Sequence, residues 1–325
     1  MSTKKWLVIA CASASLAAGL GACGGDDTSD ASSGGGDSAS GLSGNITIDG
    51  SSTVQPFAEA AAELFKQDNP DVDVTVGAAG TSGGFEKFCA GETDISDASR
   101  PIEPEEVSAC KKGGIDYSDF QVANDGISVV TNPSLEISCL STDQLAQLWT
   151  DDSVSNYSEL GNDADTGDPL PDADVSLYGP GTDSGTFDYF TDTINGEEDL
   201  SRKDYQPSED DNVLVQGVSG DQNGLGYFGF SYYEQNQDAL NLVSVDAGKG
   251  CVAPSAETIQ SGEYAPLSRP LFMYPSTEAL QRPEVAGFVQ FVADNYNDVA
   301  EAALIVPMDD SQGRQAQAAV EKAVG

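Results

Sequence analysis

Histidine is absent from this chain of 325 residues. Its absence removes both the Ser-His-Asp triad and histidine metal ligation. Basic residues are scarce: 14 Lys and Arg stand against 54 Asp and Glu, a formal charge of −40. Nucleic acid and anionic lipid headgroups are therefore poor partners for the body of the chain. The G-x-x-x-x-G-K-[ST] loop of nucleotide-triphosphate sites is missing, as is any C-x-x-C pair. Nothing in the motifs calls for a cofactor or a metal. Beyond the first twenty residues no run is long and apolar enough to span a bilayer.

What is present begins with a processing signal. Lys4 and Lys5 precede an apolar run from Trp6 to Leu20, which leads into Leu20-Gly21-Ala22-Cys23. This is the pattern of a lipoprotein signal peptide over residues 1–22, with Cys23 left to take a lipid. The run of about 15 apolar residues is short for the roughly 20 of a spanning helix. The expectation is an extracytoplasmic protein anchored to the cell membrane through Cys23. Residues 24–44, GGDDTSDASSGGGDSASGLSG, hold Leu42 as their only sizeable apolar side chain. Such a segment cannot bury enough surface to offset its ordering entropy, so residues 23–44 read as the lipidated cysteine and its tether.

The remaining 281 residues are many for one hydrophobic core and suit two lobes. Of six cysteines, Cys11 leaves with the signal and Cys23 takes the lipid. Cys89, Cys110, Cys139 and Cys251 form an even set in an oxidising compartment, which implies two disulfides in one of three pairings. Along the body, strand-like and helix-like segments alternate. Asn45–Asp49 and Val72–Val76 alternate as strands, and Phe57–Gln67, Phe85–Ala90 and Glu105–Lys112 read as helices. A long extended run from Gln121 to Val130 is broken at Asp125-Gly126. Further on, Val175–Tyr178 is a strand, Asp143–Thr150 and Phe187–Ile194 are helical, and Glu284–Tyr296 and Arg314–Val324 close the chain. This order predicts an α/β layer architecture with a largely parallel sheet.

One device recurs three times. Ser51-Ser52-Thr53, Thr81-Ser82-Gly83-Gly84 and Ser184-Gly185-Thr186 each follow a strand and open a helix. Helix N-termini present unpaired N–H donors and partial positive charge. Ser and Thr add hydroxyls, and Gly lets a ligand approach the backbone. Each loop alone is an ordinary cap and turn. Three together, with Ser99-Arg100 after a further strand, form a cradle for a small oxyanion. Arg100 is one of five arginines, and its planar fork suits a tetrahedral oxyanion. The enzyme alternative is a secreted serine hydrolase built on Ser184, with Lys87 the only lysine near a motif; Ser184 does not sit in a G-x-S-x-G elbow.

At these loops the chain resembles the substrate-binding lipoproteins of bacterial phosphate-specific ABC transporters. The matching stretches are GSSTVQPFAEA, GTSGGFEKFCAGETDISDASRPI, NDGISVVTNP, GPGTDSGTFDYF, GLGYFGFSYY and LSRPLFMYP. The resemblance implies a two-lobed periplasmic-binding-protein fold of the second type, with two chain crossings. Lobe 1 would hold residues 45–125 plus 266–325, and lobe 2 residues 126–265. It implies capture of inorganic phosphate and delivery to ABC permease subunits, with another oxyanion such as sulfate as an alternative ligand. By motif, Ser52, Thr53, Thr81 and Ser82 would bind from one lobe, and Ser184, Gly185 and Thr186 from the other. Ser99 stands where the best-known branch has an aspartate, and Pro180 where it has its arginine. Arg100 is then expected to supply the guanidinium. Asp125 is expected to accept the phosphate proton, with Asp97 and Asp183 as reserves. Pairing Cys89 with Cys110 and Cys139 with Cys251 keeps each disulfide inside one lobe and leaves a hinge free.

Overall fold

The computed structural model describes residues 41–182 and 184–325. The signal peptide, Cys23, most of the tether and Asp183 lie outside the described residues. Eleven strands appear in chain order among the described residues. The first four are β1 (Ser43–Gly50), β2 (Asp71–Val76), β3 (Ile95–Ala98) and β4 (Phe120–Thr131). Then come β5 (Cys139–Ser141), β6 (Ser176–Pro180), β7 (Gln206–Ser208) and β8 (Gly224–Gly229). The last three are β9 (Asn241–Asp246), β10 (Cys251–Val252) and β11 (Ser268–Pro275). They join along one hydrogen-bonded path, β2-β1-β3-β11-β4-β8-β6-β7, with β9 beside β4 and carrying β5 and β10. The intervening helices include α1 (Gln55–Asp68), α2 (Gly80–Cys89), α3 (Pro104–Gly113), α4 (Thr142–Thr150), α5 (Gly185–Phe190) and α6 (Asp211–Gly220).

β1 shows why the alternation reads as a strand. Ile46 and Ile48 are buried, while Asn45 and Thr47 face outward. The strand starts at Ser43, which pairs with Asp71, so ordered pairing begins two residues before the expected boundary. β2 and β3 both run parallel to β1, which places the carboxyl ends of all three at one edge. The expectation of a largely parallel sheet does not hold throughout. β11 is antiparallel to β3 and β4, and β4 is antiparallel to β8 and β9. The cause is topological: β4 carries the chain out of the first group of strands and β11 brings it back.

β4 is also unbroken at Asp125-Gly126. Its first half pairs with β11 from Phe120 to Gly126, and its second half pairs with β8 from Ile127 to Thr131. Gly126 allows a close approach rather than a turn, since a Cβ there would lie 2.4 Å from Ile259 Cδ1.

Hydrophobic packing changes at the same point. One core draws on residues 46–123 and 271–320, with Phe57, Phe65, Phe288 and Val289 at its centre. The second draws on residues 127–267 with Val306, around Trp149, Tyr157, Phe190 and Tyr227. Gly41–Gly325 forms one compact unit. The disulfides join Cys89 to Cys110, between α2 and α3, and Cys139 to Cys251, between β5 and β10. Both pairings are the expected ones, and each stays on one side of the change in core. No helix among the described residues is long and apolar enough to cross a membrane.

Candidate functional site

The first three loops of interest leave the carboxyl ends of β1, β2 and β3, where open α/β sheets gather ligands. Loop 51–54 turns tightly into α1, with the amides of Val54 and Gln55 donating to the Ser51 carbonyl at 3.1 and 3.0 Å. The Ser51 amide donates to the Asp97 carbonyl at 3.0 Å, which fixes the turn on β3. The second loop enters α2 at Gly80. Thr81 Oγ1 lies 3.1 Å from Ser99 Oγ and accepts from the Ser99 amide, tying the second loop to the third. Asp49 Oδ1 accepts the amides of Gly50 and Ala79, each at 2.9 Å, and so fixes the first loop against the second. Burial opposes the Asp49 charge, but the Lys87 ammonium and these amides outweigh it and hold the carboxyl below its ordinary value.

The helix starts carry an unusual signature. Seven described helices have nine or more residues. Five of them, α3, α4, α6, Pro283–Asp294 and Asp310–Val324, place Asp or Glu in the first turn. α1 and α2 have no acidic residue there and no side-chain cap. In a chain with 54 acidic residues, the two long helices that begin beside the cavity are the two with no acid in their own first turn. Asp49 reaches the N-cap amide of α2 at Ala79, and Asp188, Asp192 and Glu198 line the cavity from the other side.

From the side of the second core, Pro180 ends β6 and the chain enters α5, where Ser184 Oγ caps the Thr186 amide at 3.2 Å. Gly185 meets the first loop directly. A Cβ there would lie 2.5 Å from both Ser52 Oγ and Thr53 Oγ1, and 2.7 Å from the Thr53 amide nitrogen. Ser52, Thr53, Thr81, Ser82, Ser99, Arg100 and Gly185 line one cavity of about 430 Å³. Asp125, Ser184 and Thr186 line a second, of about 400 Å³, which shares Ser52, Thr53 and Gly185 with the first.

Two arginines line the first cavity, and their engagements differ. Arg100 presents its fork to Glu106, with Nη1–Oε2 at 2.9 Å and Nη2–Oε1 at 2.8 Å, and Nη2 also donates to Ser82 Oγ at 2.9 Å. Arg269, which sequence reasoning did not single out, sits where the two cores meet. Register places it opposite Asp125 in the β4–β11 pair. Its Nε donates to Asp125 Oδ2 at 3.2 Å, and its Nη2 donates to Thr53 Oγ1 at 2.7 Å and to the Gly185 carbonyl at 3.4 Å. One guanidinium thus touches the crossing strand, the first loop and the loop of the second core.

Among the reserve carboxylates, Asp97 is fully buried in β3, and both its oxygens lack a hydrogen-bond partner. Burial, with the neighbouring Asp49 charge, pushes its pKa well above the ordinary range. Asp211 lines the second cavity, and its pKa is raised to about 6 by burial and by Asp210, Asp125 and Glu209, against a backbone hydrogen bond from Gly229. Lys87, the lysine of the hydrolase alternative, is held by Asp49.

The chain matches the model of the PBP superfamily domain over residues 34–295. It is 43% identical over 267 residues to the protein SphX of Synechococcus elongatus, covering 81% of this chain and 77% of that one. It is 35% identical over 326 residues to the phosphate-binding protein PstS of Staphylococcus saprophyticus, covering 99% and 96% respectively. A crystal structure described as a possible phosphate binding protein from Planctomyces limnophilus superposes with a TM-score of 0.79 at 44% identity. That likeness covers 87% of this chain and the whole of the other.

Proposed function

The chain belongs to the PBP superfamily, in the family of the phosphate-binding protein PstS, and from that premise we propose that it captures inorganic phosphate outside the cell and delivers it to an ABC importer. The observation that carries this reading is the pair of N-termini of α1 and α2, neither with a side-chain cap nor an acid in its first turn, beside one cavity with Arg269. A tetrahedral dianion there receives backbone amides and the hydroxyls of Ser52, Thr53, Thr81, Ser82 and Ser99. The loop Ser184-Gly185-Thr186 closes on it from the other side. Arg269 supplies the guanidinium, and Asp125 holds that guanidinium in place and stands as the acceptor of the phosphate proton. Sulfate carries no such proton at neutral pH, so a carboxylate facing it meets repulsion and discriminates against it.

The two cores act as lobes hinged where β4 and β11 pass between them, and ligand favours the shut form. The lipid on Cys23 and the following tether hold the lobes outside the membrane, within reach of the permease. The hydrolase alternative loses its lysine, because the Lys87 ammonium is engaged by Asp49.

Thermal melts of ligand-stripped protein test the assignment. Phosphate at one hundred times Kd stabilises the native state by about 2.7 kcal/mol, which should raise the melting temperature by about 5 °C. Sulfate at the same concentration should leave it nearly unchanged. Equal shifts with both anions would make the site a general oxyanion site, and no shift with either would remove the phosphate reading.

A further inference from the structure

We propose that Tyr189 is a positioning residue for phosphate, whose ring orients the Arg269 fork between the two halves of the cleft. The inference rests on the phosphate reading above and adds a residue to it. The Arg269 guanidinium carbon stands 3.7 Å from the centroid of the Tyr189 ring, within stacking distance of its face. Tyr189 lies one helical turn after Gly185 on the same face of α5, so the residue that meets Thr53 and the residue that covers Arg269 move together. The tyrosine packs against the second core and lines the first cavity.

Its hydroxyl is committed elsewhere: it donates to the Pro266 carbonyl, in the segment leading into β11. What Tyr189 offers the site is therefore its π face, not a donor. The fork is held on three sides, by Asp125 at Nε, by Thr53 at Nη2 and by the ring. A guanidinium left free on that side would rotate about its last side-chain torsions and lose its aim at the cleft.

Phosphate titrations of Tyr189→Phe and Tyr189→Leu, each made also in an Arg269→Met background, separate this role from simple packing. Tyr189→Phe keeps the ring and should stay within about twofold of wild type. Tyr189→Leu should weaken phosphate by roughly threefold to thirtyfold. In the Arg269→Met background the same substitution should change affinity no further, since the group it orients is gone. Tyr189→Met serves should the leucine variant not fold. Unchanged affinity in Tyr189→Leu, an equal loss in Tyr189→Phe, or an equal loss with and without Arg269 would each overturn the proposal alone. Wild-type protein that takes up no phosphate would overturn the reading of the site, and this proposal with it.

Discussion

Arg100 and Arg269 stand in the same tripeptide, Ser99-Arg100-Pro101 and Ser268-Arg269-Pro270. What separates them is their neighbours. A glutamate six residues on takes the fork of Arg100, whereas strand register brings Asp125 and Thr53 to Arg269. Arg100, in the loop before α3, shares its fork with Glu106 on that helix, while Arg269 at the crossing touches both sides of the cleft. In the proposed site Arg269 is therefore the stronger donor to a ligand.

Carboxylates show the same dependence on surroundings. Asp211 binds its proton more tightly folded than unfolded, with a pKa raised from 3.8 to about 6. Its neutral form is favoured in the fold, so stability present below pH 4 is lost as pH climbs toward 6 and then levels off. Asp211→Asn stays neutral throughout. Melts of the ligand-free variant should match wild type near pH 4 and exceed it above pH 6, on the order of 3 °C. A gap that stays constant across this range would mean that Asp211 carries no raised pKa.

Both arginines were visible in the sequence, but only Arg100 lay beside a recognised loop. The signal for Arg269 was its place in LSRPLFMYP and the scarcity of arginine. Its pairing with Asp125, 144 residues away, is a property of sheet register that no local pattern encodes.

At the scale of elements, local chemistry made most of the fold legible. Alternation located β1 and β2, and apolar spacing located α1, because each element buries one face and the period follows from that burial. Parallel order was overestimated, since the return of β11 between β3 and β4 is a long-range choice of pairing. The Asp125-Gly126 break was misread, because a glycine admitting Ile259 and a glycine making a turn look alike in sequence.

At the element level, the proposed closure turns on the close approach of Gly185 to the first loop. Gly185→Ala would place a methyl group 2.5 Å from two hydroxyl oxygens and 2.7 Å from backbone nitrogen of the first loop. α5 must then stand off, and the cleft stays partly open. Phosphate affinity should fall roughly tenfold to a hundredfold while the ligand-free melt changes little. Small-angle scattering of the variant should show no contraction with phosphate. Wild-type affinity in Gly185→Ala would mean that α5 does not close on the first loop.

At the scale of the whole molecule, a chain of charge −40 binding an anion must offset nearby acid, since Asp188, Asp192 and Glu198 also line the first cavity. The N-termini of α1 and α2, with no acid in their first turns, and the Arg269 guanidinium supply positive potential locally, and charges more than about 8–10 Å away are screened at physiological ionic strength. In the proposed function, the two cores joined by β4 and β11 give the edge two faces that close on the ligand.

Isothermal titration of ligand-stripped protein with phosphate, run beside Arg269→Met and Arg100→Met, tests this account most directly. The expected result is one phosphate per chain for wild type, at least about a tenfold loss for Arg269→Met and a smaller loss for Arg100→Met. Wild-type protein that takes up no phosphate, or Arg269→Met that binds it as wild type does, would contradict the account.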